Sequence, residues 1–147
     1  MSEKSFWRLL RNNLPFKTYR VENKVMIGMP DVHYIHKGKT GWIELKYIPK
    51  WFTKRTRKLN CGYKLQQALW AKEHVKHGGT NWILIRVSND FIGLVHGRHA
   101  MQLQQKPYIR DFYDICVYQK RGNLDDESWN ELAHAILNPS VPKLFQS

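Results

Sequence analysis

The chain is poor in cysteine, short of acidic residues and without any long apolar run, and each shortage excludes something. Its 147 residues hold only two cysteines, Cys61 and Cys116. With no CxxC spacing, they argue against both a disulfide scaffold and a thiolate zinc site. No apolar stretch approaches the ~20 residues that span a bilayer. The opening MSEKSFWRLLRNN carries charges throughout and lacks a signal-peptide apolar core, so a cytosolic protein with no membrane partner is expected. There is no repeat and no low-complexity tract. The length suits one compact domain and is short for two.

The acidic shortage is the most informative. Against 12 Asp and Glu stand 24 Lys and Arg, a formal net charge of +12 and a pI of about 9.9. An excess of that size points to a polyanionic partner, with nucleic acid first.

Hydrophobic periodicity supplies the organisation. Residues 5 to 14 place Phe6, Leu9 and Leu10 at helical spacing before Pro15. YRVENKVMIG, DVHYIHK and TGWIELKYI then read as three strands, the last two a hairpin. Residues 48 to 63 keep no period and predict a long exposed loop. KLQQALWAKEHVKHGG predicts a helix with Leu65, Ala68, Leu69 and Val75 on its inner side and Gly78 and Gly79 as its stop. NWILIRV reads as a buried strand, DFIGLVHG as its neighbour, and HAMQLQQ as a short helix. Near the end, LDDESWNELAHAILNP offers Asp125 or Asp126 as an N-cap and Leu132, Ala135 and Ile136 as a helical face. The expected organisation is an α/β body over residues 1–106 and a C-terminal extension over 107–147 that serves as a packing or dimerisation element, with Trp129 and Leu132 as a possible dimer seam.

The strand GWIELKY carries the chemistry. Alternation puts Trp42, Glu44 and Lys46 on one face and Ile43, Leu45 and Tyr47 on the other. A carboxylate and an ammonium inside an otherwise apolar strand cost desolvation energy unless they have partners or a metal. Asp31 opens the preceding strand after a Gly-Met-Pro turn, so a hairpin would let Asp31 and Glu44 converge on one cation. Hard oxygen ligands suit Mg²⁺ or Mn²⁺, which would polarise a phosphate and acidify a water, with Lys46 beside it.

GMPD, IELK and QQALW in this order resemble the PD-(D/E)XK nuclease superfamily and, within it, the VRR-NUC group of small structure-specific nucleases, many of them stand-alone viral or phage proteins. The resemblance covers about residues 3 to 95. It implies a restriction-endonuclease-like core: a helix, a three-stranded antiparallel meander, a crossover helix and further strands, followed here by a helical tail. It implies Asp31 and Glu44 as metal ligands, the backbone carbonyl of Leu45 as a third, Lys46 as the catalytic lysine, and Mg²⁺, with Mn²⁺ as a substitute, as the cofactor. Gln67 matches the helix glutamine that positions the lysine and the DNA backbone, with Gln66 as the neighbouring register. An upstream glutamate is expected at Glu22, which precedes Asp31 in the same strand layer, or at Glu3.

The stretch after this strand holds Lys50, Lys54, Arg55, Arg57 and Lys58, with Trp51 and Phe52 between them, and Lys64 follows. Basic groups neutralise phosphates and aromatic rings stack on exposed bases, so these residues are expected on DNA. The histidine pairs His33 and His36, His74 and His77, and His96 and His99 come without HExxH or a thiolate, and zinc is not assigned. The expectation is a Mg²⁺-dependent endodeoxyribonuclease acting on branched DNA such as Holliday junctions or flaps, working as a homodimer in the cytoplasm, a host's if the protein is viral. The alternative is a non-catalytic DNA-binding protein on the same fold. A site-specific restriction enzyme lacks room for a base-reading module. Each residue also has an ordinary reading: a turn aspartate after proline for Asp31, the solvated face of an edge strand for Glu44 and Lys46, a core tryptophan for Trp70.

Overall fold

The computed structural model describes residues 2–22, 24–50 and 57–139. Along the chain run α1 (Glu3–Asn13), β1 (Lys17–Arg20), β2 (Val32–His36), β3 (Lys39–Ile48), α2 (Leu65–Lys76), β4 (Asn81–Val87), β5 (Phe91–His96), a 3₁₀ turn at Gly97–His99, α3 (Ala100–Gln104), α4 (Ile109–Ile115), β6 (Cys116–Arg121) and α5 (Asp126–Leu137). The result is an α/β fold: one mixed sheet in the order β1-β2-β3-β4-β5-β6, with helices on both faces.

The first three strands form the expected antiparallel meander. Lys37 and Gly38 both have positive φ between the paired residues His36 and Lys39, the two-residue turn whose twist matches its flanking strands. β3 then pairs in parallel with β4, which requires a crossover, and α2 supplies it. β5 returns antiparallel to β4, and β6 antiparallel to β5. Every residue of β4 is buried, as a strand covered on both faces must be.

Two cores follow from strand alternation. On one face Phe6 and Leu10 of α1 and Trp129, Leu132 and Ile136 of α5 pack on Val32, Tyr34, Ile43, Leu45, Trp82 and Leu84. On the other, Ala68 and Ala71 of α2, Leu103 of α3 and Phe112 of α4 pack on Ile48, Ile83, Ile85 and Val95. Asp125 caps α5 by accepting from the N–H of Ser128 at 2.8 Å, and Ser2 caps α1 through Ser5, so both helices start where a side-chain oxygen takes an orphan donor.

Several expectations are corrected. The first strand is Lys17–Arg20 and not YRVENKVMIG; Val25, Met26 and Ile27 lie outside the sheet and are 93%, 60% and 84% exposed. On α2 the core face is Ala68 and Ala71, while Leu65 and Leu69 are exposed, so the helix meets the sheet through its small side chains. Residues 57–64 are not a free loop: Leu59, Cys61 and Tyr63 point alternately into the core. Beyond residue 106 the chain adds β6 to the same sheet, and α5 fills one of its cores. Trp129 and Leu132 are buried there, so neither can form a dimer seam. No helix among the described residues is long and apolar enough to cross a membrane.

Candidate active site

β3 is the third of six strands, not an edge strand, yet part of its β2 side is open. β2 starts at Val32, opposite Ile43, so β3 runs on from Glu44 without a strand partner on that side. Asp31 closes the gap with its side chain, Oδ2 accepting the backbone N–H of Leu45 at 3.2 Å. In an extended residue the C=O points to the same side as the N–H, so the Leu45 carbonyl is directed at this gap as well.

Glu44 is the centre of the site and only 3% exposed. Its Oε2 takes the ammonium of Lys46 at 3.2 Å and the amide of Gln67 at 2.8 Å; its Oε1 is buried with no hydrogen-bond partner among the described residues. Burial and, after it, the Asp31 carboxylate push its pKa up to about 8, against the pull of Lys46 and Lys24. Asp31 Oδ1 is held by Lys24 Nζ at 2.8 Å.

The third carboxylate is Glu3. Ligand oxygens of Glu3, Asp31 and Glu44 lie within 4.8 Å of one another, the one such group of three or more His, Cys, Asp or Glu among the described residues. Glu3 sits in the first turn of α1, where the helix dipole favours a negative charge, and the packing of Phe6 and Leu10 carries that turn to the open edge of β3. Glu22, the preferred upstream glutamate on sequence grounds, is exposed beyond the end of β1 and is not in the group. Three crowded carboxylates, one buried with an oxygen unpaired, repel one another, and a divalent cation would remove that cost. The donor set is all oxygen and fits Mg²⁺ or Mn²⁺.

The glutamine register is Gln67: its Nε2 donates to Glu44, its Oε1 accepts the Lys64 N–H at 2.9 Å, and its carbonyl accepts the Tyr63 hydroxyl at 3.2 Å. Gln66 is exposed. Gln67 therefore steadies Glu44 rather than reaching Lys46. Tyr63 and Lys24 were not singled out from the sequence. Tyr63 is buried, and burial together with the Glu44 charge raises its pKa.

Of the basic residues expected on DNA, Trp51, Lys54 and Arg55 lie outside the described residues. Lys50, Arg57, Lys58 and Lys64 are exposed. Lys58 Nζ lies 5.8 Å from the Tyr108 ring centre, and Lys64 caps α2 one turn from Gln67, at the rim of the carboxylate cluster. Among the described residues no histidine pair belongs to a metal-holding group: His77 pairs with Glu73 at 2.8 Å, while His74 stacks on Trp70 at 4.8 Å. Both cysteines are free thiols.

No model of a known protein family matches the chain, and no curated protein matches it either.

Proposed function

We propose that the protein is a metal-dependent, structure-selective DNA endonuclease with a restriction-endonuclease-like core of the PD-(D/E)XK kind. One observation carries the reading. Glu44, almost fully buried on a central strand, faces Asp31 and Glu3 with one oxygen unpaired and Lys46 on the other. A purely structural ion pair has no use for two further carboxylates, and a DNA-binding surface has no use for three carboxylates gathered around one that is buried.

Glu3, Asp31 and Glu44, with the Leu45 carbonyl, are the residues that would hold Mg²⁺ or Mn²⁺. When bound, the ion supplies Lewis-acid polarisation of the scissile phosphate and acidifies the attacking water. The side chains do the rest. Asp31 and Glu44 orient the ligand oxygens because each is fixed by a second bond, to the Leu45 N–H and to Gln67. Lys46, two residues along the same face as Glu44, directs its ammonium at the water and offsets charge that builds on the phosphate oxygens. Lys24 neutralises Asp31 here and would be free to meet a phosphate oxygen if a cation took its place.

DNA as the substrate is supported by the +12 charge and by the exposed Lys64, whose backbone N–H is held by the same Gln67 side chain that holds Glu44. Two cuts across a junction need two such sites, so a symmetric dimer accompanies the reading. The test is incubation with labelled four-way junction, flap and plain duplex in Mg²⁺, Mn²⁺ or EDTA, alongside Glu44→Ala. Metal-dependent cutting that the variant lacks supports the proposal. Tight binding with no cutting on any substrate replaces it with the non-catalytic DNA-binding reading.

A further inference from the structure

The sheet face that carries Glu44 is only partly covered by α2, and the uncovered part bears a row of rings. Tyr19 of β1, His33 of β2 and Trp42 of β3 are successive cross-strand partners. Ring centres lie 6.5 Å apart from Tyr19 to His33, stacked within 29°, and 4.8 Å from His33 to Trp42. Trp42 meets Trp70 of α2 at 5.9 Å, and Trp70 meets His74 at 4.8 Å. The row thus runs unbroken from an edge strand to the helix that holds Gln67.

Its position and exposure need explaining. Trp42 is two residues from Glu44 on the same face of β3, about 7 Å along the strand. Tyr19 is 49% exposed, and its neighbour Ile35 is 40% exposed. At the outer end Lys17 Nζ lies 5.2 Å from the Tyr19 ring centre, a cation beside the rings. Cross-strand aromatic pairs stabilise sheets, but a row that is half-exposed at Tyr19, partly exposed at His33 and Trp42, and begins next to the proposed cutting site gives ring surface to a ligand that has both bases and phosphates.

We propose that the Tyr19–His33–Trp42 row is a stacking platform for unpaired DNA bases flanking the cut, making a flap or single-strand boundary the preferred substrate over a fully paired four-way junction. Inside a duplex each base is already stacked on both sides, and only unpaired or terminal bases can lie on protein rings. Sheet-borne rings hold single strands in this way, each contact being worth roughly five- to a hundredfold in affinity. Lys17 then meets the backbone of the strand whose bases the rings carry. The inference rests on the nuclease reading of the neighbouring carboxylates.

The test is fluorescence anisotropy in EDTA with a labelled thymidine oligonucleotide and with a duplex of equal phosphate number, using the full chain, Tyr19→Ala and Trp42→Leu. Tyr19 is half-exposed on an edge strand, so its loss leaves the cores intact; circular dichroism checks both variants. Single-strand affinity should fall about fivefold or more in each variant, with duplex affinity unchanged, and in Mg²⁺ the wild type should cut the flap faster than the junction. Equal losses on both ligands, no loss on either, or a junction cut faster than the flap would overturn the platform. If Tyr19→Ala selectively weakens single-strand binding but nothing is ever cut, the platform stands and the nuclease reading falls. If cutting is metal-dependent but single strands gain nothing from Tyr19, the nuclease stands and the platform falls.

Discussion

The side-chain amide of Gln67 donates to Oε2 of Glu44 across 2.8 Å and so ties the crossover helix to the central strand at the point where the carboxylates gather. Gln67→Ala should keep the fold, since Gln67 is not a core residue, and should lower both metal affinity and cleavage by about ten- to a hundredfold, as loss of an orienting partner does. A titration of Mn²⁺ followed by calorimetry, with cleavage rates beside it, checks this. Unchanged metal affinity would mean that the amide does not position Glu44.

Glu44 is costly to the metal-free protein, because it is buried beside two like charges with one oxygen unpaired. Glu44→Gln should therefore melt in EDTA at or above the wild-type temperature. Mn²⁺ at a hundred times its dissociation constant should add about 2.7 kcal/mol to the wild type, a rise of several degrees, and nothing to the variant. Equal shifts in both proteins would remove Glu44 from the ligand set.

The turn that delivers Asp31 should be intolerant of side chains. Gly28 has φ of +86° and packs so closely on α2 that a Cβ would run into the Gln66 carbonyl. Gly28→Ala combines left-handed strain with that collision and should cost at least about 1 kcal/mol. Because the collision lies between the Asp31 turn and the Gln67 helix, cleavage should fall more than tenfold. Wild-type cleavage in a correctly folded Gly28→Ala protein would contradict this.

Acid should loosen the fold through His96. Its Nδ1 accepts the Arg98 N–H at 3.0 Å, and burial, helped by the Arg98 and His99 charges, pushes its pKa down to about 4. The folded value is below the unfolded one of about 6.5, so the unfolded chain takes up the proton first. The stabilisation is full above pH ~6.5 and is lost as the pH falls towards 4, by about 3 kcal/mol at most. Urea unfolding at about pH 7.5 and pH 5 measures the loss. His96→Asn, which keeps an acceptor, should flatten it, and an undiminished loss in that variant would contradict the assignment.

How much of this was legible in the sequence depended on the range of the signal. Glu44 and Lys46 could be read because alternation within one strand fixes their face, and Asp31 because Gly-Met-Pro punctuates the chain just before it. Glu3 could be named only as the second candidate behind Glu22, since nothing local ties the first turn of α1 to the edge of β3; packing of Phe6 and Leu10 does. Gln67 was uncertain by one position until its bond to Glu44 fixed the helix rotation. Leu65 and Leu69 misled the reading of α2, because helical spacing cannot tell which side of the stripe turns to the sheet, and the buried residues there are Ala68 and Ala71. β6 was missed because an edge strand with alternating exposure and Val117 facing out carries little apolar pattern. The alternation of Leu59, Cys61 and Tyr63 was present but hidden among lysines and arginines.

The central claim is tested most directly by the single-turnover rate at which excess protein cuts a labelled flap in Mn²⁺, wild type against Glu44→Gln, with EDTA as the control. The account predicts a cut that EDTA abolishes and that Glu44→Gln slows a thousandfold or more, about 4 kcal/mol of barrier. A rate that survives EDTA or is unaffected by Glu44→Gln would contradict it.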